Sequence, residues 1–347
     1  MKNIGIIGCG KIAQVRHIPE YADNRDARLA AFYDLNMERA GMLAKTYGGR
    51  AFETYEELLA DESVDAVSVC VPNELHGQIT IAALRAGKDV LCEKPMAVTL
   101  EECRQMVDVA EETGRCLMIG QNQRLARGHV LAKQLIERGE IGRVITFKTT
   151  FGHGGPESWS IDPGSSTWFF DRKKAVMGAM ADLGIHKTDL IQYLLGEQVA
   201  ETTAVITTLD KKDGNGDLIG VDDNAVCIYK MESGAVGTMT ASWTYYGQED
   251  NSTVLYGSGG IMRIYEDPTY CIKIIKPDHE EILYNADRIQ TNDKQTKSGV
   301  IDAFMDCIVQ GKEAQISGKS VYNAMKAVFA SIESAKTGKT IKIGGSE

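Results

Sequence analysis

A chain of 347 residues, 43% hydrophobic and 25% charged, is too long for one ordinary core and points to two domains without collagen-like or low-complexity bias. A formal net charge of −10, with no Lys/Arg block, sets aside a non-specific nucleic-acid binder or a protein of anionic membranes. No apolar run reaches the roughly 20 residues of a membrane helix, the N-terminus "MKNIGIIGCGKIA" does not read as a signal peptide, and a cytoplasmic location is the default.

In chain order, the first third alternates strand and helix signals. "NIGIIG" reads as a buried strand and residues 11–22 as a helix; "ARLAAFYD" is a second strand, followed by a helix over Met37–Tyr47. "DAVSVCV" is a third strand, with a helix over Leu75–Ala86 that stops at Gly87. "DVLCE", a helix over Leu100–Thr113 and the strand "CLMIG" complete the series; Thr99 ahead of Glu101 and Glu102 is a start signal and Gly114 a stop signal. Strands alternating with helices predict a parallel sheet with right-handed crossovers. After Gln121 the rhythm changes. A helix over Leu125–Arg138, a strand at 143–151, an aromatic-rich irregular stretch at 152–170 and a helix at 178–195 lead into seven consecutive strands: 198–209, 223–231, 235–246, 252–257, 260–266, 270–276 and 279–284. Helices return at 299–310 and 317–337. The predicted class is α/β: a doubly wound domain over 1–122, then an α+β domain over 123–347 on a large open, mainly antiparallel sheet.

The first strand runs into Gly8, Gly10 and Ala13, a G-x-G-x-x-A pattern opening a helix. Gly8 permits the tight turn, Gly10 lets a pyrophosphate approach the backbone, and Ala13 allows close helix–strand packing. The helix start supplies amide hydrogens and the positive end of its dipole. Asp34 ends the second strand, where a carboxylate receives the ribose 2′-hydroxyl of NAD and repels a 2′-phosphate; Arg39 is the nearest cation. Ligands of such sheets lie at the carboxyl ends of the strands. There lie Lys11 and Ile12 after the glycine turn, Pro72, Asn73 and His76 after the third strand, Glu93 and Lys94 after the fourth, and Gln121 after the fifth. These are the candidate cofactor contacts, with Lys94 directed at the nicotinamide; local packing is the alternative for His76, and Glu93 is left between bonding the lysine and bonding the cofactor.

The second domain carries "MGAMADLGIHKTDL", in which Asp182 and His186 are four apart and share a helix face. Alone the pair reads equally as a cap and a core histidine; beside a nicotinamide domain it reads as a base oriented by a carboxylate. The eight cysteines contain no C-x-x-C pair, no zinc set is expected, and reduced buried thiols are. "DKKDGNGD" at 210–217 lacks EF-hand spacing and reads as a solvated hairpin. His153, Trp159 and Trp168 of the irregular stretch are candidate sugar contacts, as are Trp243, Tyr245 and Tyr246 further on.

The motifs "GIIGCGKIA", "VPNELH", "CEKP" and "ADLGIHKTDL", in this order and spacing, resemble the Gfo/Idh/MocA oxidoreductases over essentially the whole chain. The resemblance implies a catalytic group of Lys94, Asp182 and His186, a cis Lys94–Pro95 peptide, NAD as cofactor and a small sugar, glycoside or cyclitol as substrate, oxidised reversibly at a secondary hydroxyl. It also implies a homodimer or homotetramer formed through the second-domain sheet. Two departures bear on the substrate. Val176-Met177-Gly178 stands where many members have three glycines, and Gln121-Asn122-Gln123-Arg124-Leu125 stands where many have a Y-R-F-like segment, which makes Asn122 and Gln123 candidate substrate contacts. A ketosugar reductase, a redox-neutral enzyme with retained NAD and a dinucleotide-sensing regulator are the rival readings.

Overall fold

Strands β1 (Lys2–Ile7), β2 (Ala27–Tyr33), β3 (Arg50–Ala51), β4 (Ala66–Val69), β5 (Asp89–Cys92) and β6 (Leu117–Ile119) pair in parallel in the order β3-β2-β1-β4-β5-β6. This is the doubly wound order, whose direction reverses between β1 and β4 and opens a crevice at their carboxyl ends. These coordinates are a computed structural model, which describes residues 1–288, 297–312 and 314–344. The residue types account for the sheet: β4 and β6 are buried throughout, as strands covered by helices on both faces must be. The covering helices are α1 (Ile18–Asp23), α2 (Met37–Tyr47), α3 (Tyr55–Ala60), α4 (His76–Arg85) and α5 (Leu100–Thr113). Their caps are local. Asn36 accepts from the Arg39 amide, Thr54 from Glu57 and Thr99 from Glu102, while Gly114 closes α5 in the left-handed region.

A second unit begins at Gln123. It contains α6 (Arg127–Glu137), β7 (Val144–Gly152), α7 (Ile185–Leu195), β8 (Val199–Thr207), β9 (Asn224–Met231), β10 (Val236–Ser242), β11 (Thr253–Gly257), β12 (Gly260–Ile264), β13 (Ile272–Ile275) and β14 (Glu281–Tyr284). With a short terminal strand at Ile341–Lys342 beside β8, they form a nine-stranded sheet in the order β14-β13-β12-β11-β7-β10-β9-β8. All its pairs are antiparallel except β7 with β10, which need the long crossover that α7 and the β8–β9 hairpin supply. The strands alternate: in β9, Ala225, Cys227 and Tyr229 are buried, while Val226 and Ile228 are 48% and 50% exposed on the other face. Val205 of β8 lies opposite Val226 and is 65% exposed.

The division departs from the expected 123–347 second domain in one respect. Helix α8 (Val300–Gln310) and the chain up to Tyr322, at the start of α9 (Gly318–Thr337), belong to the first unit. The reason is visible in its anchors. The Ser298 amide and hydroxyl donate to the Glu20 carboxylate at 2.7 and 3.0 Å, Asn24 Nδ2 donates to Asp302, and the Ile119 amide donates to the Ile316 carbonyl at 3.0 Å. Apolar periodicity announces that α8 buries Val300, Ile301, Phe304 and Met305, but not against what. Two expected helices also begin differently: residues 13–17 and 180–184 form wide turns with i→i+5 bonding, ahead of α1 and α7. Strand β3 and helix α3 were not anticipated. The 210–217 segment is a hairpin-like turn, with the Asn215 and Asp217 amides donating to Asp213 Oδ1. Among the described residues no helix is long and apolar enough to cross a membrane.

Candidate active site

In the first unit the site starts where β1 ends. Gly8 has φ +92°, and a Cβ there would lie 2.5 Å from the Cys70 carbonyl oxygen, so the turn after β1 accepts only glycine. Gly10 is different: a Cβ there would meet no protein atom within 4 Å. Protein packing does not require this glycine, and the open space in front of it suits a dinucleotide phosphate at the helix start. Asp34 closes β2. Its Oδ2 accepts the Cys9 amide at 2.7 Å and its Oδ1 the Asn36 amide at 2.8 Å, so the carboxylate is fixed against the glycine turn and keeps lone pairs for ribose hydroxyls. Arg39 Nη1 lies 3.5 Å from Oδ1. Gln121, just past β6, is buried with both atoms of its amide unpartnered, a donor and an acceptor suited to a second amide such as that of nicotinamide. Lys11, Ile12 and Pro72 are half-buried, and Asn73 is buried in the turn before α4. These features fit bound NAD.

Lys94 is half-buried at the exit of β5, and the Lys94–Pro95 peptide is cis. Glu93 is anchored inward. Its Oε1 lies 2.8 Å from His17 Nε2 and 3.6 Å from Arg16 Nη1, and its Oε2 accepts the Lys94 amide at 3.2 Å. Both oxygens are therefore engaged by protein groups. Burial opposes its charge, but the bond and charge of His17, with Arg16 and Lys94, outweigh it and hold the carboxyl down at about 2. The network continues from His17 Nδ1 to Ser68 Oγ and on to the Tyr21 hydroxyl. His76, the other candidate of this group, is held by backbone carbonyls. Its ring is buried, with Nδ1 2.6 Å from the Pro95 carbonyl and Nε2 2.9 Å from the Val71 carbonyl. Burial lowers its pKa, and a neutral ring donates to one of the two carbonyls at a time, so His76 ties the two loops together.

In the second unit, Asp182 sits in the wide turn before α7 and His186 in the first turn of that helix; both are buried. Asp182 Oδ2 accepts from Trp243 Nε1 at 3.0 Å. Trp243, expected among the sugar-contacting aromatics, is instead fully buried and orients Asp182. The irregular stretch closes over this motif through a continuous series of rings. His186 faces Phe151 at 6.0 Å, Phe151 faces His153 at 5.9 Å, and His153 faces Trp159 at 6.2 Å. Trp159 then faces Phe169 at 5.1 Å, which reaches Trp243 at 6.4 Å. Trp168 stacks on Phe169 at 4.0 Å. Trp159 Nε1 and Thr167 Oγ1 are buried without hydrogen-bond partners. Orphaned polar atoms in an aromatic wall are what a polyhydroxylated ligand would satisfy. Tyr246 points elsewhere, 62% exposed and donating to Asp210.

The turn ahead of Asp182 explains one departure from the family pattern. Gly178 is obligatory, because a Cβ there would lie 1.8 Å from the Asp222 carbonyl oxygen. The Asp222 carboxylate accepts the Gly178 and Met180 amides at 2.8 and 2.7 Å and so holds the start of the segment that carries Asp182 and His186. Val176 has φ +63°, and the Met177 amide bonds the Ala175 carbonyl across it at 2.7 Å. That is a γ-turn of the rare left-handed kind, unfavourable for a β-branched residue.

Two features escaped the sequence reading. Arg124 grips Asp189 with Nε and Nη2, at 2.7 and 2.5 Å, which fixes the residue three beyond His186 to the start of the unit. Its signal was the one cation in "QNQRL". Beside it, Gln123 is buried with Oε1 unpartnered, while Asn122, last residue of the first unit, is half-buried. Lys187 is wholly buried, donates from Nζ to the Asn251 carbonyl at 3.1 Å, and is pushed down by burial to about 7. Sequence shows a surface-like lysine beside a histidine and nothing of its burial.

Residues 2–121 match the model of an oxidoreductase family with an NAD-binding Rossmann fold, and residues 129–263 match the GFO/IDH/MocA C-terminal domain. The chain is 31% identical to the levoglucosan dehydrogenase of Pseudarthrobacter phenanthrenivorans over 67% of its own length, a match spanning 64% of that relative. It is 32% identical to the 1,5-anhydro-D-fructose reductase of Ensifer adhaerens over 70% of each chain. The solved aldose-aldose oxidoreductase of Caulobacter crescentus superposes with a TM-score of 0.83 at 27% identity, covering 98% of this chain and 99% of that one.

Two substitutions test the anchors. Glu93→Gln should cost about 3 kcal/mol at pH 7, since it leaves Arg16 and His17 buried against a neutral amide. Glu93 titrates at about 2 when folded against an ordinary 4.5, so its contribution is complete above pH 4.5 and disappears as the pH falls through 2. Urea unfolding at pH 7 and pH 3 should show the gap between wild type and variant narrowing in acid; an unchanged gap would sink the assignment. At the γ-turn, Val176→Gly should be more stable than Val176→Ala by about 1 kcal/mol, because only glycine relieves the left-handed strain. Thermal melts of the two variants decide this, and the reverse order would refute it.

Proposed function

Because the chain belongs to the Gfo/Idh/MocA family of NAD-binding oxidoreductases, we propose that it oxidises a secondary hydroxyl of a small sugar, glycoside or cyclitol, reversibly, in the cytoplasm. The observation that supports this most is Asp182, held by Trp243 Nε1 one helical turn before His186 inside a wall of aromatic rings. His186 accepts the proton of the substrate hydroxyl. Lys94 donates to that oxygen and stabilises the negative charge developing on it. Asp182 orients His186 or bonds a neighbouring hydroxyl. Bound NAD⁺ supplies the hydride acceptor. His153, Trp159 and Trp168 offer ring faces to the sugar, while Trp159 Nε1, Gln123 Oε1 and Asn122 offer polar contacts to its hydroxyls. In the reverse direction, reduction of a ketosugar, His186 returns the proton; the likeness to a named anhydrofructose reductase supports this second reading. The presence of Lys94 and His186 argues against a purely dinucleotide-sensing regulator.

A second copy of the chain is the proposed cover for the sheet face carrying Val205, Val226, Ile228 and Val236, which are 40% to 65% exposed. The resulting assembly is a homodimer or homotetramer.

NADH formation measured over a panel of free sugars, glycosides and inositols should find at least one substrate. With that substrate, Lys94→Ala should lose about 10²- to 10⁴-fold in turnover while NAD binding by calorimetry is kept; near-wild-type turnover would refute the role of Lys94. For the assembly, Ile228→Lys should shift the sedimentation coefficient towards a monomer, and an unchanged coefficient would remove the sheet face as the interface.

A further inference from the structure

Six of the eight cysteines, Cys9, Cys70, Cys92, Cys103, Cys227 and Cys271, are buried. The other two, Cys116 and Cys307, are half-buried and face each other with their sulfurs 2.7 Å apart, although 191 residues separate them in sequence. Random placement of reduced thiols gives no reason for the only two accessible ones to be in contact. Both lie in the first unit and neither belongs to the cofactor or catalytic set. Cys116 immediately precedes β6, the edge strand of the parallel sheet, where its amide donates to Asp89 Oδ1 at 2.9 Å. Cys307 lies on α8, in the segment that returns to this unit from the second. Non-covalent ties hold that segment to the same edge: the Ile119 amide bonds the Ile316 carbonyl, and Met118 pairs with Ser317.

We propose that Cys116 and Cys307 form a reversible intramolecular disulfide, an oxidation-sensitive clasp between α8 and the edge of the dinucleotide-binding sheet. The oxidant is a peroxide or a small disulfide such as oxidised glutathione. With a peroxide, the Cys307 thiolate attacks one oxygen, the O–O bond breaks, and a proton completes the departing water to leave a sulfenic acid. The Cys116 thiol then displaces that hydroxyl as a second water, and the S–S bond forms. With a small disulfide, Cys307 forms the mixed disulfide and Cys116 expels the small thiol. The order follows from the hydrogen bond between them. Either thiol could donate across this contact, and the contact lowers the Cys307 pKa against the effect of burial while that of Cys116 is raised. The bond closes a long loop, so it restricts the unfolded chain and stabilises the first unit. Such pairs in reducing compartments are transient and redox-sensing rather than permanent.

The full-length protein, reduced and then exposed to a small excess of hydrogen peroxide or to oxidised glutathione, is alkylated and analysed by intact mass and by non-reducing peptide mapping. The expected product is a monomer lighter by about 2 Da that has lost two thiols together. It should yield one cross-linked peptide pair containing Cys116 and Cys307, and dithiothreitol should restore it. The oxidised form should melt at least about 5 °C above the reduced form. In Cys116→Ser, Cys307 should instead be trapped by dimedone or carry one glutathione, and Cys307→Ser should suppress the cross-link. Separate adducts on both cysteines without a cross-link, a cross-link through any other cysteine, disulfide-linked dimers, or an unchanged or lowered melting temperature would each overturn the proposal.

Discussion

The buried carboxylate of Glu93 is the constraint around which the first unit is arranged. A single oxygen meets His17 and Arg16 from the segment after the glycine turn, and the other receives the Lys94 amide. The two loops that a dinucleotide would touch, one after β1 and one after β5, are thereby tied through one charge. A buried ion is tolerable only when its lone pairs are filled and its charge is matched, and here both conditions hold. Gly120 belongs to the same arrangement, because a Cβ there would stand 3.0 Å from the Glu93 carboxyl group. His76 repeats the device without charge, holding the Pro95 carbonyl beside that of Val71. Lys94 thus stands on a backbone fixed from both sides.

The second unit fixes Asp182 and His186 by packing more than by charge. Asp182 is aimed by an indole, that indole touches Phe169 and Phe170, and the rings continue through Trp159, His153 and Phe151 to His186. A shift in the irregular stretch would therefore be transmitted to both members of the pair. His153 is itself held, its Nδ1 accepting the Gly155 amide at 3.0 Å, which leaves the proton of a neutral ring on Nε2. The strained turn at Val176 fits this picture. Asp222 grips the amides just after it, and Gly178 leaves no room for slack, so the contacts that follow Val176 hold the strained turn in place.

What was legible in the sequence was whatever depends on local spacing. Gly8, Gly10, Ala13 and Asp34 announce a dinucleotide turn because turn geometry, phosphate approach and strand end are fixed within a few dozen residues. The strand-helix alternation announces the parallel sheet for the same reason. What was not legible depends on partners far along the chain. Glu93 and His17 are 76 residues apart, Arg124 and Asp189 are 65 apart, and Trp243 and Asp182 are 61 apart. Aromatic composition placed Trp243 among the sugar contacts, whereas only the fold shows that its indole, just past β10, is spent on Asp182. The return of residues 297–322 to the first unit was hidden because amphipathic periodicity states that a helix buries a face without naming the surface it meets. The β7–β10 pairing was hidden similarly, since a parallel neighbour separated by α7 and two strands leaves no local signal.

Glu93 and Lys187 show the same physical cost resolved in opposite ways. Each is an ionisable group withdrawn from water, and in each burial is the largest influence on its titration. Glu93 has a histidine, an arginine and a backbone amide within reach, so the charged form prevails and the carboxyl falls to about 2. Lys187 donates to the Asn251 carbonyl, with Asp250 and Glu249 acting through their charge, and it falls to about 7. Burial acts against the charge in both, and the close partners of Glu93 reverse its effect there. Near neutral pH the lysine next to His186 is therefore poised between charge states, while Glu93 stays ionised. A fixed charge suits a group that positions a loop, and it keeps the Lys94 backbone in one place at every pH above 4.5.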